Sequence, residues 1–110
     1  MSALRDQFLA AAPKLVPVEC PKLGGLTVYV NGSMKVADRL HVSKLSQADE
    51  DISVKLVILA ARDESGAPLF TPEDEAALAE ADGEEVQRIA LAALRANGMA
   101  AGSVEAARKN

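Results

Sequence analysis

The stretch from Asp82 to Gly98 constrains the fold more than any other part of the chain. Asp82-Gly83-Glu84-Glu85 opens with a capping acid and places Glu85 three positions on, the pattern of a helix start. Behind it, Val86, Ile89, Ala90, Ala93 and Leu94 recur at helical spacing as one unbroken apolar stripe. Asn97-Gly98 closes the helix. What such a stripe packs against has little bulk. The chain holds 21 Ala in 110 residues, and its aromatics (3%) are Phe8, Tyr29 and Phe70. Ala is the best helix former and packs closely. A helical protein with a small-residue core is therefore favoured over an aromatic-rich β-sandwich or barrel.

The remaining segments are punctuated by Pro, Gly and capping residues. Ser2 can cap a helix over residues 3–12, with Leu4, Phe8, Ala11 and Ala12 on one face and Pro13 as its stop. Residues 14–21 are β-branched and contain Pro17, which confines any strand here to a sheet edge. Gly24-Gly25 marks a turn, and Leu26-Thr27-Val28-Tyr29-Val30 is the best strand by composition, ended by Asn31-Gly32. Residues 15–30 thus predict a two-stranded hairpin. A helix is expected from about Lys35 to Leu45, with Val36 and Leu40 inward. Ser46 can cap the next, with Asp49, Glu50 and Asp51 near its positive end and Ile52, Leu56, Leu59 and Ala60 on its apolar face. Leu56-Val57-Ile58-Leu59 also fits a buried strand by periodicity; the continuous run into Ala60-Ala61 favours a helix. Asp63 to Pro68 reads as a turn, and Thr71-Pro72-Glu73-Asp74 as a strong helix start.

These segments predict an α+β domain, predominantly α-helical: a small helical domain with a minor N-terminal β-hairpin. It spans residues 1–98 as one unit, with the hairpin at about 15–30, the helices at about 35–98 and a C-terminal tail at 99–110. The expected core is Phe8, Val28, Val30, Leu56, Leu59, Phe70, Leu78, Val86, Ile89, Ala93 and Leu94.

Several function classes find no support. Net charge is −4, and no Lys/Arg cluster of the kind that binds phosphates is present, so no nucleic acid is expected as a ligand. No apolar run approaches the roughly 20 residues that span a bilayer, and the N-terminus has no signal-peptide core, so no membrane partner is expected. Cys20 is the single cysteine and His41 the single histidine. They could in principle pair as thiolate and base. However, Glu19 beside Cys20 opposes thiolate formation, and no third orienting group is in sight, so the reading is a semi-exposed thiol and a helix-surface imidazole. Asp49-Glu50-Asp51 and Glu73-Asp74-Glu75 lack the alternating ligand spacing of a calcium loop and fit helix starts. Gly24-Gly25 is no phosphate loop. The expectation is therefore no catalytic residue, no metal and no cofactor.

The acidic stretch says more. Between Asp63 and Glu85 there are nine acidic residues and no basic one. Helix starts and solvated faces account for most of them; a negative surface that steers a basic partner is the functional alternative. Within this stretch, Leu69-Phe70 is either a core anchor or an exposed contact, and core is favoured because a hydrophobic residue just before an N-cap commonly packs onto its own helix.

The segment Asp63-Glu64-Ser65-Gly66-Ala67-Pro68-Leu69-Phe70-Thr71-Pro72-Glu73-Asp74 resembles a signature of the tail assembly chaperones of long-tailed, siphovirus-type phages and prophages: an acidic turn, Gly, Pro, Leu-Phe-Thr and an acidic helix start. As in that family, an apolar helix precedes it, and a short acidic helix and a second helix ending in Ala-Leu-Arg-Ala-Asn-Gly (93–98) follow. Leu23-Gly24-Gly25 leading into Val28-Tyr29-Val30 looks like the family's opening strand. The resemblance covers roughly residues 15–98, in order. It implies a non-enzymatic assembly factor of the host cytoplasm that is absent from the finished virion. Its expected partners are the tape measure protein and the major tail tube protein, whose subunits it helps recruit; self-association as a homo-oligomer is left open. The candidate protein-binding residues, from the acidic stretch and the Leu69-Phe70 pair within it, are Leu69, Phe70, Glu73, Asp74 and Glu75. Many family members are also made in a longer form by a ribosomal frameshift, and Arg108-Lys109-Asn110 can be encoded by an A-rich run that would permit one. A small, acidic, helical bacterial adaptor or antitoxin-like interaction domain is the alternative, and gene context separates the two.

Overall fold

A computed structural model describes residues 3–11, 14–47 and 52–99. The expectations for Ser2, Pro13, the Asp49-Glu50-Asp51 run and the tail beyond Met99 lie outside the described residues. Among the described residues, five α-helices and a three-stranded antiparallel sheet make an α+β, mostly helical domain.

The sheet is built from the hairpin outward. Strand β1 (Leu15–Cys20) pairs with β2 (Leu26–Asn31), with Val16 opposite Val30 and Val18 opposite Val28. Gly24 and Gly25 take positive φ (69° and 77°), and the chain reverses there because glycine meets no Cβ penalty in that region. Pro17 sits on β1, an edge strand, where its missing N–H removes nothing from the ladder. Successive residues point to opposite faces. Val18, Cys20, Val28 and Val30 face the core. A third strand, β3 (Ala61–Arg62), adds to β2, pairing Ala61 with Val30. Two residues are too short for an alternating pattern to announce them.

Helix α3 (Ser53–Ala60) lies directly before β3 and is continuous with it, so the apolar run Leu56-Val57-Ile58-Leu59 is helical. It starts at Ser53 without a side-chain cap; Ser46 belongs to the preceding helix and does not open this one. Helix α5 (Gly83–Ala96) packs across α3 on one side and the sheet on the other. Asp82 caps it, its Oδ1 accepting from the backbone N–H groups of Glu84 (3.0 Å) and Glu85 (3.2 Å). At the other end Gly98 has φ +70°. Its N–H donates to the Arg95 carbonyl and that of Met99 to the Leu94 carbonyl, the two reverse bonds of a Schellman stop. Leu56, Val57, Ala60, Ala90 and Ala93 are all nearly or fully buried, the small-residue core that the Ala content predicts.

Three core expectations fail, all towards the N-terminus. Helix α1 (Ala3–Leu9) buries nothing: Phe8 is 80% exposed, and Leu4 and Leu9 are exposed beside it. Helix α2 (Val36–Gln47) turns Val36 and Leu40 outward; Val42 is buried, with Met34 just before the helix. Met34, Asp38 and Val42 share the inward face at i, i+4 and i+8, and half-buried Asp38 interrupts its apolar pattern. Leu59 and Phe70 are partly buried and pack against the core from its edge.

Buried Asn97 ties α2 to the rest. Its Oδ1 accepts from the Met34 backbone N–H (2.8 Å), and its Nδ2 donates to the carbonyls of Asn31 and Ala93 (2.8 Å each). Its own carbonyl accepts from Arg39 Nη1 at 2.7 Å. One side chain thus joins the end of β2, the start of α2 and the last turn of α5.

Candidate docking groove

An apolar groove of about 310 Å³ opens where the hairpin turn, α4 (Glu75–Ala79) and the first half of α5 meet. Val28 and Val57, both buried, lie at its base, with Leu78, Val86 and Ile89 as its helical walls. Leu23 and Leu26, on either side of the glycine turn, and Leu69 form exposed lips. Ala77 and Ala81 keep the α4 side low.

The loop before α4 is held by its own acids. Asp63 accepts from Ser65 N–H (2.8 Å), Ser65 Oγ (2.6 Å) and Ala67 N–H (3.1 Å). The Ser65 hydroxyl first, then the Ala67 N–H, hold the Asp63 carboxyl below its ordinary value. The turn brings Pro68 opposite Arg62, and Leu69 N–H bonds back to the Ala61 carbonyl at 3.1 Å, so Leu69-Phe70 leaves the sheet edge in a fixed direction. Thr71 N–H then donates to Asp74 Oδ2 at 2.8 Å, which fixes the start of the Pro72–Asp74 turn that leads into α4.

Leu69, Phe70 and Asp74 therefore meet at one groove, whereas Glu73 and Glu75 are exposed beside it and do not line it. Phe70 is both anchor and contact: it packs against the core edge and presents surface to the groove.

Charge at the mouth is negative. Asp74 and Asp82 line the groove, and Glu84 is adjacent. Lys22 Nζ lies 3.0 Å from Asp82 Oδ2 and 3.6 Å from Glu84 Oε1. Its hydrogen bond to Asp82 is the first cause that lowers the Asp82 carboxyl, followed by the capping N–H of Glu85, and the same bond raises the Lys22 amine. Ion pairs this exposed add little stability.

Glu85 departs from its expected role. Instead of reaching back to its own N-cap, it turns inward and is 2% exposed. Its Oε1 accepts from Arg88 Nε at 3.0 Å, while its Oε2 is buried without a hydrogen-bond partner. Leaving such an atom unmatched costs about 1–3 kcal/mol. Cys20, expected to be semi-exposed, is fully buried beside this carboxylate. Burial first, then the Glu85 charge, push its thiol up, which is the opposite of what a nucleophilic cysteine needs. His41 is exposed on α2. Among the described residues no cluster of His, Cys, Asp and Glu is arranged to hold a metal ion, and no helix is long and apolar enough to cross a membrane.

Sequence reasoning reached Leu69, Phe70 and Asp74 but missed the other wall. Leu23 and Leu26 were legible as apolar residues flanking Gly24-Gly25, an unusual place for two leucines. Nothing in the sequence distinguished Glu85 from an ordinary first-turn acid. Comparison with known proteins adds no relative: no family model, no curated protein and no solved structure matches this chain.

Proposed function

We propose that this protein is a protein-docking factor without enzymatic activity, whose groove takes an apolar segment of a partner. More particularly, we propose a tail assembly chaperone that holds the tape measure protein and helps recruit tail tube subunits around it in the host cytoplasm. One observation carries the reading. Leu69, Phe70 and Asp74, which stand in the segment with the chaperone-like signature, converge on a single apolar groove with an acidic mouth. A tape measure protein is a long helical chain with apolar stripes that are exposed before the tube encloses it. An apolar groove suits such a stripe, which docks through residues at i, i+3 and i+4. Its walls are aliphatic apart from Phe70, and the tightest interface anchors are enriched in Trp and Tyr. Modest contacts of this kind suit a factor that must release its client.

The experiment is co-expression with the tape measure and tail tube proteins encoded beside the gene, followed by affinity capture. Capture of the tape measure protein by the wild type, lost in Leu69→Asp, supports the reading. Glu73→Lys with Glu75→Lys should slow association and flatten its salt dependence, with only a small loss of stability, because both are exposed first-turn acids whose part in the fold is confined to the helix dipole. Asp74 is left intact in that variant, since it fixes the start of the turn before α4. Neighbouring genes that encode no tail proteins, or no capture of either protein by any variant, would contradict it.

A further inference from the structure

The groove holds one group that its own fold leaves unmatched. Glu85 Oε2 is buried with no hydrogen-bond partner, although the other oxygen of the same carboxylate is bonded to Arg88. Buried polar atoms without a partner are few in folded proteins, and each calls for an explanation. Helix capping does not supply one, because Asp82 alone caps α5. The neighbouring Cys20 thiol is a weak donor and leaves Oε2 unsatisfied.

Resting on the reading of the groove as a docking site, we propose that Glu85 determines its specificity, by receiving one lysine ammonium set within the apolar face of a helical segment of the partner protein. Three observations select that occupant. The walls are aliphatic, from Val57, Leu78, Val86 and Ile89, so the segment must be apolar where it touches them. The mouth carries Asp74, Asp82 and the adjacent Glu84 against one cation, Lys22, which pairs with the last two, so the balance there stays negative and favours a cation over an anion. Only one carboxylate oxygen lacks a bond, since Oε1 is held by Arg88; Oε2 is buried at the groove wall, so a donor reaches it only as the side chain turns outward. That suits the point charge of lysine better than arginine, whose parallel N–H groups match two oxygens at once.

A lysine stem can lie along the aliphatic walls while its ammonium reaches inward. The terminal torsion of Glu is broad, so a small rotation aims Oε2 at the entering donor. The carboxylate then lies between two cations, Arg88 behind it and the partner's lysine in front. A segment with an uninterrupted apolar stripe leaves Oε2 as it is in the free protein, buried and unmatched, and gains nothing from it. Glu85 therefore favours the segment that carries the lysine.

A displayed library of helical peptides with their apolar stripe positions randomised, selected against the whole chain, tests this. The proposal expects enriched sequences with a lysine at one fixed place in the stripe. Replacing that lysine with methionine should weaken binding to the wild type by about ten- to a hundredfold, the size of one charge-assisted hydrogen bond. The same replacement should change little in Glu85→Gln, whose fold is checked by circular dichroism. The peptide replacement reads out on the unmutated protein in any case. Enriched stripes without a basic residue, bound equally by wild type and Glu85→Gln, would overturn the role of Glu85 and leave the docking site standing. No enrichment, or binding unaffected by Ala77→Trp, which fills the groove from an exposed position, would overturn both.

Discussion

Helices α5 and α2 are similar in length, at 14 and 12 residues, yet they are held in opposite ways. α5 is specified by its own sequence. It has a capping acid, a stop glycine and a stripe whose members Val86, Ile89, Ala90, Ala93 and Leu94 are all buried between α3 and the sheet. The described part of α2 shows no such stripe. Val36 at 74% and Leu40 at 58% exposure face away, Leu45 is half-buried, and the helix is held by Val42 together with the hydrogen bonds that Met34 and Arg39 make to Asn97. A helix can thus be fixed by a matching face or by a tether at one end. Only the first kind announces itself as periodicity.

The comparison breaks most readily in the core. Leu94→Ala on α5 should cost about 2–5 kcal/mol in urea unfolding, whereas Leu40→Ala on α2 should stay within about 0.5. Equal losses would mean that α2 packs in solution as α5 does. Asn97→Ala tests the tether. It orphans the buried Met34 N–H and the Asn31 carbonyl, for an expected loss of about 2–4 kcal/mol, and amide exchange across 36–45 should rise before that of α5. Uniform exchange in the two helices would contradict the tether.

A smaller effect, about 1 kcal/mol, is expected for Asp82→Ala, which removes the cap of α5 and the main partner of Lys22.

The expected contrast in pH dependence is smaller again. Asp63 and Asp82 lie below their ordinary 3.8, so the unfolded chain takes up protons first and stability is lost as the pH falls below that value. Cys20 lies above its ordinary 9.0, so the unfolded chain ionises first and stability declines as the pH rises past 9.0. Melting temperature against pH should fall at both ends, and Cys20→Ala should remove part of the alkaline fall only.

The same distinction explains what could be read from the sequence. The hairpin, the edge position of Pro17, the start and stop of α5 and the turn at 63–68 follow from local chemistry within a few residues, and all are present. β3 is only two residues long and exists because β2 offers it an edge. The inward face of α2 includes Asp38, so the visible pair Val36 and Leu40 pointed the wrong way. Phe8 sits on a regular apolar face that the described residues do not cover. In the groove, Leu69 and Phe70 were visible because a turn and a cap bracket them. Glu85 was not, because whether a first-turn acid faces water or the core depends on what lies behind the helix, here Cys20 and the sheet.

Apolar side chains are exposed at the groove around 69–89 and also on the outward faces of α1, with Leu4 and Phe8, and of α2, with Val36 and Leu40. Hydrogen exchange of this protein alone and mixed with the tape measure protein proposed as its partner separates them directly. The account predicts new protection at residues 69–86 and at the hairpin turn around Leu23 and Leu26, with 3–9 and 36–45 unchanged. Protection confined to 3–9 and 36–45, with the groove segments exchanging as before, would contradict it.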